Sequence, residues 1–257
     1  MSKKNKYGLD QFYTKPNIAK KCLDTLNLQE YDTIIEPSAG GGVFFHMAEH
    51  ENKIGYDLEP KSEDIEQSDF LTKDLSFLEG KKTLFFGNPP FGRNSSLALK
   101  FVKKCCKYGD TVAFILPKGF KKRSMIDKIP LNFEIVMIKD LEDDLFTFEG
   151  KDFMVPCVWV VIKKNDVLRE KEVKLKPTKF TFTNKENANL AIRRVGINAG
   201  NVFTDVNVSE PSHYFLRVET PIRAHELISQ LTFSSGDTTG PRSIPKNELI
   251  IKLDEIL

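Results

Sequence analysis

Short apolar runs alternate with helical spacing along the chain as far as about residue 162. Lys15 to Leu28 reads as an amphipathic helix, with Thr14 as its N-cap and Pro16 in its first turn. Asp32 to Ile35 reads as a buried strand that runs into Glu36-Pro37-Ser38-Ala39-Gly40-Gly41-Gly42. Helical spacing resumes over Val43 to His50. A short strand over Lys53 to Tyr56 ends at Asp57, and Glu66 to Phe70 lies near a third strand end. Thr83 to Phe86 is a fourth strand. Ser95 to Lys107 is a helix with Leu97, Leu99, Phe101, Val102 and Cys105 at its apolar positions. Thr111 to Leu116, Phe133 to Ile138 and Val155 to Ile162 complete the strands. This alternation predicts an α/β fold with a doubly wound, mostly parallel, seven-stranded sheet. No helical spacing separates the last two strands, which predicts an antiparallel hairpin at the sheet edge. Residues 139 to 154 between them are acidic and aromatic and read as a loop.

The pattern changes after Lys163. Val173 to Phe182 reads as extended, and Lys185 to Arg194 as a helix ending at Gly196. Val202 to Val208 and His213 to Val218 read as strands, and Pro221 to Leu231 and Pro245 to Leu257 as helices. Two domains are expected: residues 1–165 as the main α/β part, and 166–257 as a small α+β addition.

Composition narrows the class. Hydrophobic residues make up 40% of 257, with 20 Phe, so core and stacking surface are both available. No apolar stretch has the length of a bilayer span, and Met1-Ser2-Lys3-Lys4-Asn5-Lys6 lacks an apolar signal core. A soluble intracellular protein, cytoplasmic or nuclear, without a membrane partner is expected. The spacing of Cys22, Cys105, Cys106 and Cys157 matches no zinc pattern, and His46 with His50 lacks an acidic companion, so no metal site is expected. Net charge is +2, with its small basic excess after Lys163, which neither demands nor excludes nucleic acid.

The candidate chemistry lies at strand ends, where open α/β sheets bind ligands. Asn88-Pro89-Pro90-Phe91 follows the fourth strand. The Asn88 side-chain carbonyl and the Pro89 main-chain carbonyl can accept the two hydrogens of an exocyclic amine. Proline adds rigidity and no competing N–H. Phe91 offers a face to a base drawn out of its helix. The same four residues also make an ordinary turn. Gly40-Gly41-Gly42 permits close approach of a ligand, and the acid Glu36 ahead of it suits a cationic group better than a phosphate. Asp57 can accept from ribose hydroxyls, and Asp69-Phe70 pairs an acceptor with a ring. Taken singly, each is equally a turn or cap residue. Likewise, Phe12-Tyr13-Thr14-Lys15-Pro16 also reads as a helix entry with a hydrophobic staple.

Taken in order, these strand ends resemble the amino-methyltransferases, which use S-adenosylmethionine to methylate N6 of adenine or N4 of cytosine. The resemblance covers residues 10 to 162. It implies a Rossmann-like methyltransferase fold with S-adenosylmethionine as cofactor. Tyr13, Thr14 and Pro16 would contact the methionine moiety, and Glu36, Pro37, Ser38, Ala39, Gly40 and Gly42 would form the cofactor loop. Asp57 would hold the ribose, Asp69 and Phe70 the cofactor adenine, and Asn88, Pro89, Pro90 and Phe91 would be catalytic. It implies methylation of adenine N6 in DNA. The alternatives are N6-adenosine in structured or cap-adjacent RNA, a protein glutamine amide, or a non-catalytic nucleic-acid-binding module. Lys118, Lys121, Lys122 and Arg123, together with Arg193 and Arg194, are the candidates for nucleic-acid contact, beside a purely solvated reading. Either a homodimer or a heteromeric partner is compatible with the small C-terminal part.

Overall fold

The computed structural model describes residues 13–141, 146–148, 151–153, 155–233 and 242–257. The chain divides into two compact units between Lys171 and Glu172.

The first unit begins with β1 (Tyr13–Thr14) and α1 (Pro16–Leu23), followed by β2 (Thr33–Glu36), α2 (Val43–Met47), β3 (Lys53–Asp57) and β4 (Glu66–Gln67). Next come β5 (Thr83–Gly87), α3 (Ser96–Tyr108), β6 (Thr111–Pro117), α4 (Arg123–Ile126) and β7 (Phe133–Asp140). The short strands β8 (Phe146–Phe148) and β9 (Lys151–Phe153) precede β10 (Cys157–Lys164). Seven strands form one sheet in the order β4-β3-β2-β5-β6-β10-β7. The pairs β4/β3, β3/β2, β2/β5 and β5/β6 are parallel, and β10 runs antiparallel to both β6 and β7. This is the expected doubly wound, mostly parallel, seven-stranded sheet of Rossmann-like type. Its strand order reverses between β2 and β5, which brings the ends of those two strands to one crevice.

β2, β5 and β6 are buried throughout and read as continuous apolar runs because helices cover both faces. Phe70, Phe85, Phe101 and Phe114 fill one side of the sheet, and Ile34, Phe44, Phe86 and Trp159 fill the other. Trp159 stacks on Phe44 at 6.1 Å and donates its indole N–H to the Thr25 hydroxyl at 2.9 Å. All four cysteines are free and buried, and burial pushes the Cys22 and Cys106 thiols up to about 12.

Several elements depart from the sequence pattern. β10 inserts between β6 and β7, so the antiparallel pair is present but the later strand is internal. Its continuous apolar run, Val158 to Ile162, is buried on both faces, which an edge strand would not allow. Lys139 and Asp140 belong to β7. β8 pairs with both β1 and β9, so the segment read as a loop contains strands. Residues 142–145, 149, 150 and 154 of that segment lie outside the described residues, as does Phe12 of the expected staple. α1 ends at Leu23, and Lys15 is its N-cap. Thr14 extends into β1 instead, and its hydroxyl serves another partner. α2 stops at Met47 because Ala48 is extended, so His46 and His50 do not share a helical face.

The second unit comprises β11 (Thr181–Phe182), β12 (Leu190–Arg193), β13 (Val202–Phe203), β14 (His213–Arg217), α5 (Pro221–Ile228) and α6 (Lys246–Ile256). Its antiparallel sheet has the order β11-β14-β12-β13. The expected helix over Lys185 to Arg194 is a 3-10 turn, Lys185–Asn187, followed by strand β12. Leu190, Ala191 and Ile192 are all fully buried between β14 and β13. A three-residue apolar run is ambiguous in period, and burial in a sheet decided it. The strand expected over Val202 to Val208 is confined to Val202–Phe203. Of the extended segment 173–182, only β11 joins a sheet. The Asp254 carboxylate holds the part before β11 by accepting the Thr178 and Lys179 N–H groups at 3.0 Å.

Candidate active site

Four segments meet at the β2 and β5 ends. β2 delivers Glu36, which is 2% exposed and whose Oε2 meets no hydrogen-bond partner. Burial pushes the Glu36 carboxyl well above the usual carboxylate range. The Phe45 main-chain N–H opposes this, and the nearby Asp57 charge adds to it. The loop after Glu36 is pinned to the β3 end, because the Gly40 N–H donates to Asp57 Oδ2 at 2.7 Å. The other Asp57 oxygen accepts the Glu59 N–H at 2.8 Å. Gly40 and Gly42 have φ of 51° and 76°, in the left-handed region that favours glycine. The Tyr13 ring covers this loop, and its Cε1 lies 3.7 Å from where a Gly40 Cβ would stand.

β5 delivers the tetrapeptide. Gly87 has φ 119°, and a Cβ there would lie 2.8 Å from Glu36 Oε1. Glycine therefore lets β5 pass against the buried acid. The Asn88 main-chain carbonyl accepts the Ser38 hydroxyl at 3.3 Å, which joins the tetrapeptide to the glycine loop. The Asn88 amide nitrogen donates to Thr14 Oγ1 at 3.2 Å, while its Oδ1 is buried without a donor. Pro89 is buried; Pro90 and Phe91 are half-buried. The Phe91 carbonyl accepts the Leu97 and Ala98 N–H groups at 3.1 and 3.2 Å, so the tetrapeptide caps the start of α3. Asn94 and Ser95 then take φ of 52° and 60°, a strained conformation of the kind concentrated at functional sites.

The predicted residues thus divide. Tyr13, Thr14, Glu36, Ser38, Gly40, Asp57 and Asn88 come together through these contacts. Pro37 and Ala39 are buried within the loop, and the Gly42 N–H closes its last turn on the Ala39 carbonyl at 2.7 Å. Pro16 is exposed and starts α1. Asp69 is exposed, with Oδ1 accepting the Leu71 N–H at 2.9 Å. Phe70 is 2% exposed and stacks on Phe101 at 5.6 Å. A core ring has no face to spare for a base, so only its main chain is available to a ligand.

Among the basic candidates, Lys121 pairs with Asp140 at 3.0 Å and Arg123 with Asp127 at 2.8 Å. Lys118 and Lys122 are half-buried. In the second unit the Arg193 guanidinium donates to the Val195 carbonyl, and that of Arg194 to the Pro211 carbonyl. Three features escaped the sequence: Gly87 as clearance for Glu36, Tyr13 as a cover on the glycine loop, and the link from Thr14 to Asn88. Only the first left a signal, a glycine closing an otherwise bulky apolar strand. Among the described residues, no cluster of three or more His, Cys, Asp or Glu side chains could hold a metal, and no helix is long and apolar enough to cross a membrane.

A mostly parallel, doubly wound α/β sheet, with the glycine loop and the Asn88 tetrapeptide at its reversal point, defines the fold class as Rossmann-like. No protein-family model and no curated protein matches the sequence. Solved structures with a similar fold include PH1948 of Pyrococcus horikoshii, assigned as an RNA methyltransferase. It is 17% identical over 63% of this chain and 91% of that one, with a TM-score of 0.45. The 23S rRNA methyltransferase ErmE is 16% identical over 63% of this chain and 72% of its own, with a TM-score of 0.47. The Thermoplasma acidophilum protein 1320 is 12% identical over 59% and 85%, with a TM-score of 0.40.

Proposed function

We propose that the first unit transfers a methyl group from S-adenosylmethionine to the exocyclic N6 of adenine in DNA. The observation that carries this reading is the enclosed Asn88 Oδ1, an acceptor without a donor. Leaving a buried acceptor unpaired costs about 1–3 kcal/mol. An amine N–H offered to this oxygen removes that cost. The amide nitrogen is occupied by Thr14 Oγ1, so the carboxamide offers its acceptor end.

The cofactor fits the second orphaned atom. Glu36 Oε2 is a buried acid without a partner, suited to the positive charge of a sulfonium amino acid. Tyr13, Ser38 and the Gly40 loop would border the methionine moiety and Asp57 the ribose, with Asp69 and the Phe70 main chain at the adenine. The bound cofactor supplies a methyl group already activated by its positive sulfur.

Asn88 would accept one amine hydrogen through Oδ1 while the Pro89 carbonyl accepts the other, which turns the nitrogen lone pair out of the ring plane. Phe91 would stack on the base and exclude water. The transfer would make the N–CH₃ bond and break the S–CH₃ bond, leaving the cofactor as a neutral thioether, and the surplus amine proton would be lost to solvent. The chain's contribution is therefore positioning and preorganised polarity.

The test pairs Asn88→Ala with calorimetry of cofactor binding and a methyl-transfer assay on DNA and RNA. Turnover is expected to vanish with cofactor affinity retained. Undiminished turnover in the variant would overturn the role of Asn88. Methyl groups found on RNA, or on glutamine in protein, would reassign the acceptor.

A further inference from the structure

The stretch from Gly87 to Gly109 carries five basic side chains, Arg93, Lys100, Lys103, Lys104 and Lys107, and no acidic one. At the chain's average composition about three acids would fall in a stretch of that length. α3 buries Ala98, Phe101, Val102, Cys105 and Cys106 against the sheet. Lys100, Lys103 and Lys107 therefore share the opposite face at helical spacing, and all three are exposed, as is Arg93. Lys104 turns aside to the Lys73 carbonyl and the Phe70 ring, on the flank where Asp69 and Asp74 lie. The Lys107 ammonium sits 4.8 Å from the Tyr108 ring centroid. Among the described residues, none of Arg93, Lys100, Lys103 and Lys107 makes an ion pair, whereas Lys121 and Arg123 do.

We propose that this face of α3 carries the phosphate backbone of the nucleic acid that flanks the target base. The proposal rests on the nucleic-acid reading above and supplies the contact surface that reading lacks. Continuity supports it: the Phe91 carbonyl caps the first turn of α3, so the cationic stripe starts at the catalytic tetrapeptide. From Ser96 to Lys107 the helix rises about 17 Å at ~1.5 Å per residue. That length spans about five nucleotides of a duplex strand at ~3.4 Å each.

The test is equilibrium binding of labelled single-stranded DNA, duplex DNA and RNA to the full chain between about 50 and 200 mM salt. The Lys100→Gln/Lys103→Gln/Lys107→Gln variant is compared with wild type and with a Lys171→Gln/Lys174→Gln/Lys176→Gln control of equal charge change. Each lost phosphate contact lowers the log–log salt slope by about 0.7 on single strands and 0.9 on duplex. The α3 variant is expected to show a slope shallower by about 2 to 3, while the control keeps the wild-type slope and both keep cofactor affinity. An unchanged slope in the α3 variant, an equal loss in the control, or no binding by wild type would overturn the proposal. Methyl transfer by the wild-type protein is measured on the same preparations. Its absence would count against the proposed activity, whereas an unchanged α3 slope with transfer intact would count against the path alone.

Discussion

Asn88 and Glu36 each hold a buried oxygen that the folded chain leaves without a donor. Thr14 Oγ1 accepts from the NH₂ end of the Asn88 amide, which leaves Oδ1 as the end for the proposed target amine. Thr14→Val keeps the shape and removes the hydroxyl, so the amide can rotate and offer its NH₂ end. We expect kcat to fall about tenfold, the equivalent of one ~1.4 kcal/mol hydrogen bond, with cofactor affinity held and activity restored by Thr14→Ser. A Thr14→Val variant that loses cofactor affinity and keeps kcat would make Thr14 a cofactor ligand instead. Glu36 gives a prediction in pH. Its folded carboxyl titrates above the ordinary value of 4.5, so the acid is fully tolerated below that value and stability declines as pH rises towards the folded pKa. Glu36→Gln removes this decline. Thermal unfolding of the cofactor-free proteins should agree in acid, with the variant gaining steadily towards neutral pH. A constant difference across pH would refute the buried-acid assignment.

At the scale of elements, the legible part of the fold was the part with a clear period or a long apolar run. The parallel strands β2, β5 and β6 and the helix α3 announce themselves because their burial patterns are continuous or amphipathic. Glu36 and Asn88 of the candidate site were legible for the same reason, since they stand where the β2 and β5 runs stop, and Asp57 closes the shorter β3. β12 was not, because Leu190 to Ile192 is too short to carry a period and its identity comes from β14 and β13 on either side. The place of β10 was also hidden, since strand order depends on contacts far along the chain. The pairing of Thr14 with Asn88 crosses 74 residues, and no local pattern encodes it. Nor could sequence show that Phe70 would spend its ring on Phe101 in the core.

At the scale of the molecule, each unit has its own core. Phe180, Leu190, Ile192, Leu216, Leu249 and Leu253 belong to the second unit alone, and the only tryptophan, Trp159, reports on the first. Leu249→Ala leaves a cavity costing about 2–5 kcal/mol. It should lower the unfolding temperature followed by far-ultraviolet circular dichroism for the second unit and leave the Trp159 fluorescence transition in place. A matching shift in both signals would mean that the two cores unfold as one.

Methylation of an exocyclic amine by the β2 and β5 ends is the proposed activity. The most direct measurement is incubation with isotope-labelled S-adenosylmethionine and adenine-containing DNA and RNA, followed by nucleoside mass spectrometry. Label is expected on N6-methyladenine with the wild-type protein and on no nucleoside with Asn88→Ala. Label absent from every nucleoside while the protein binds the cofactor, or equal label with the variant, would contradict it.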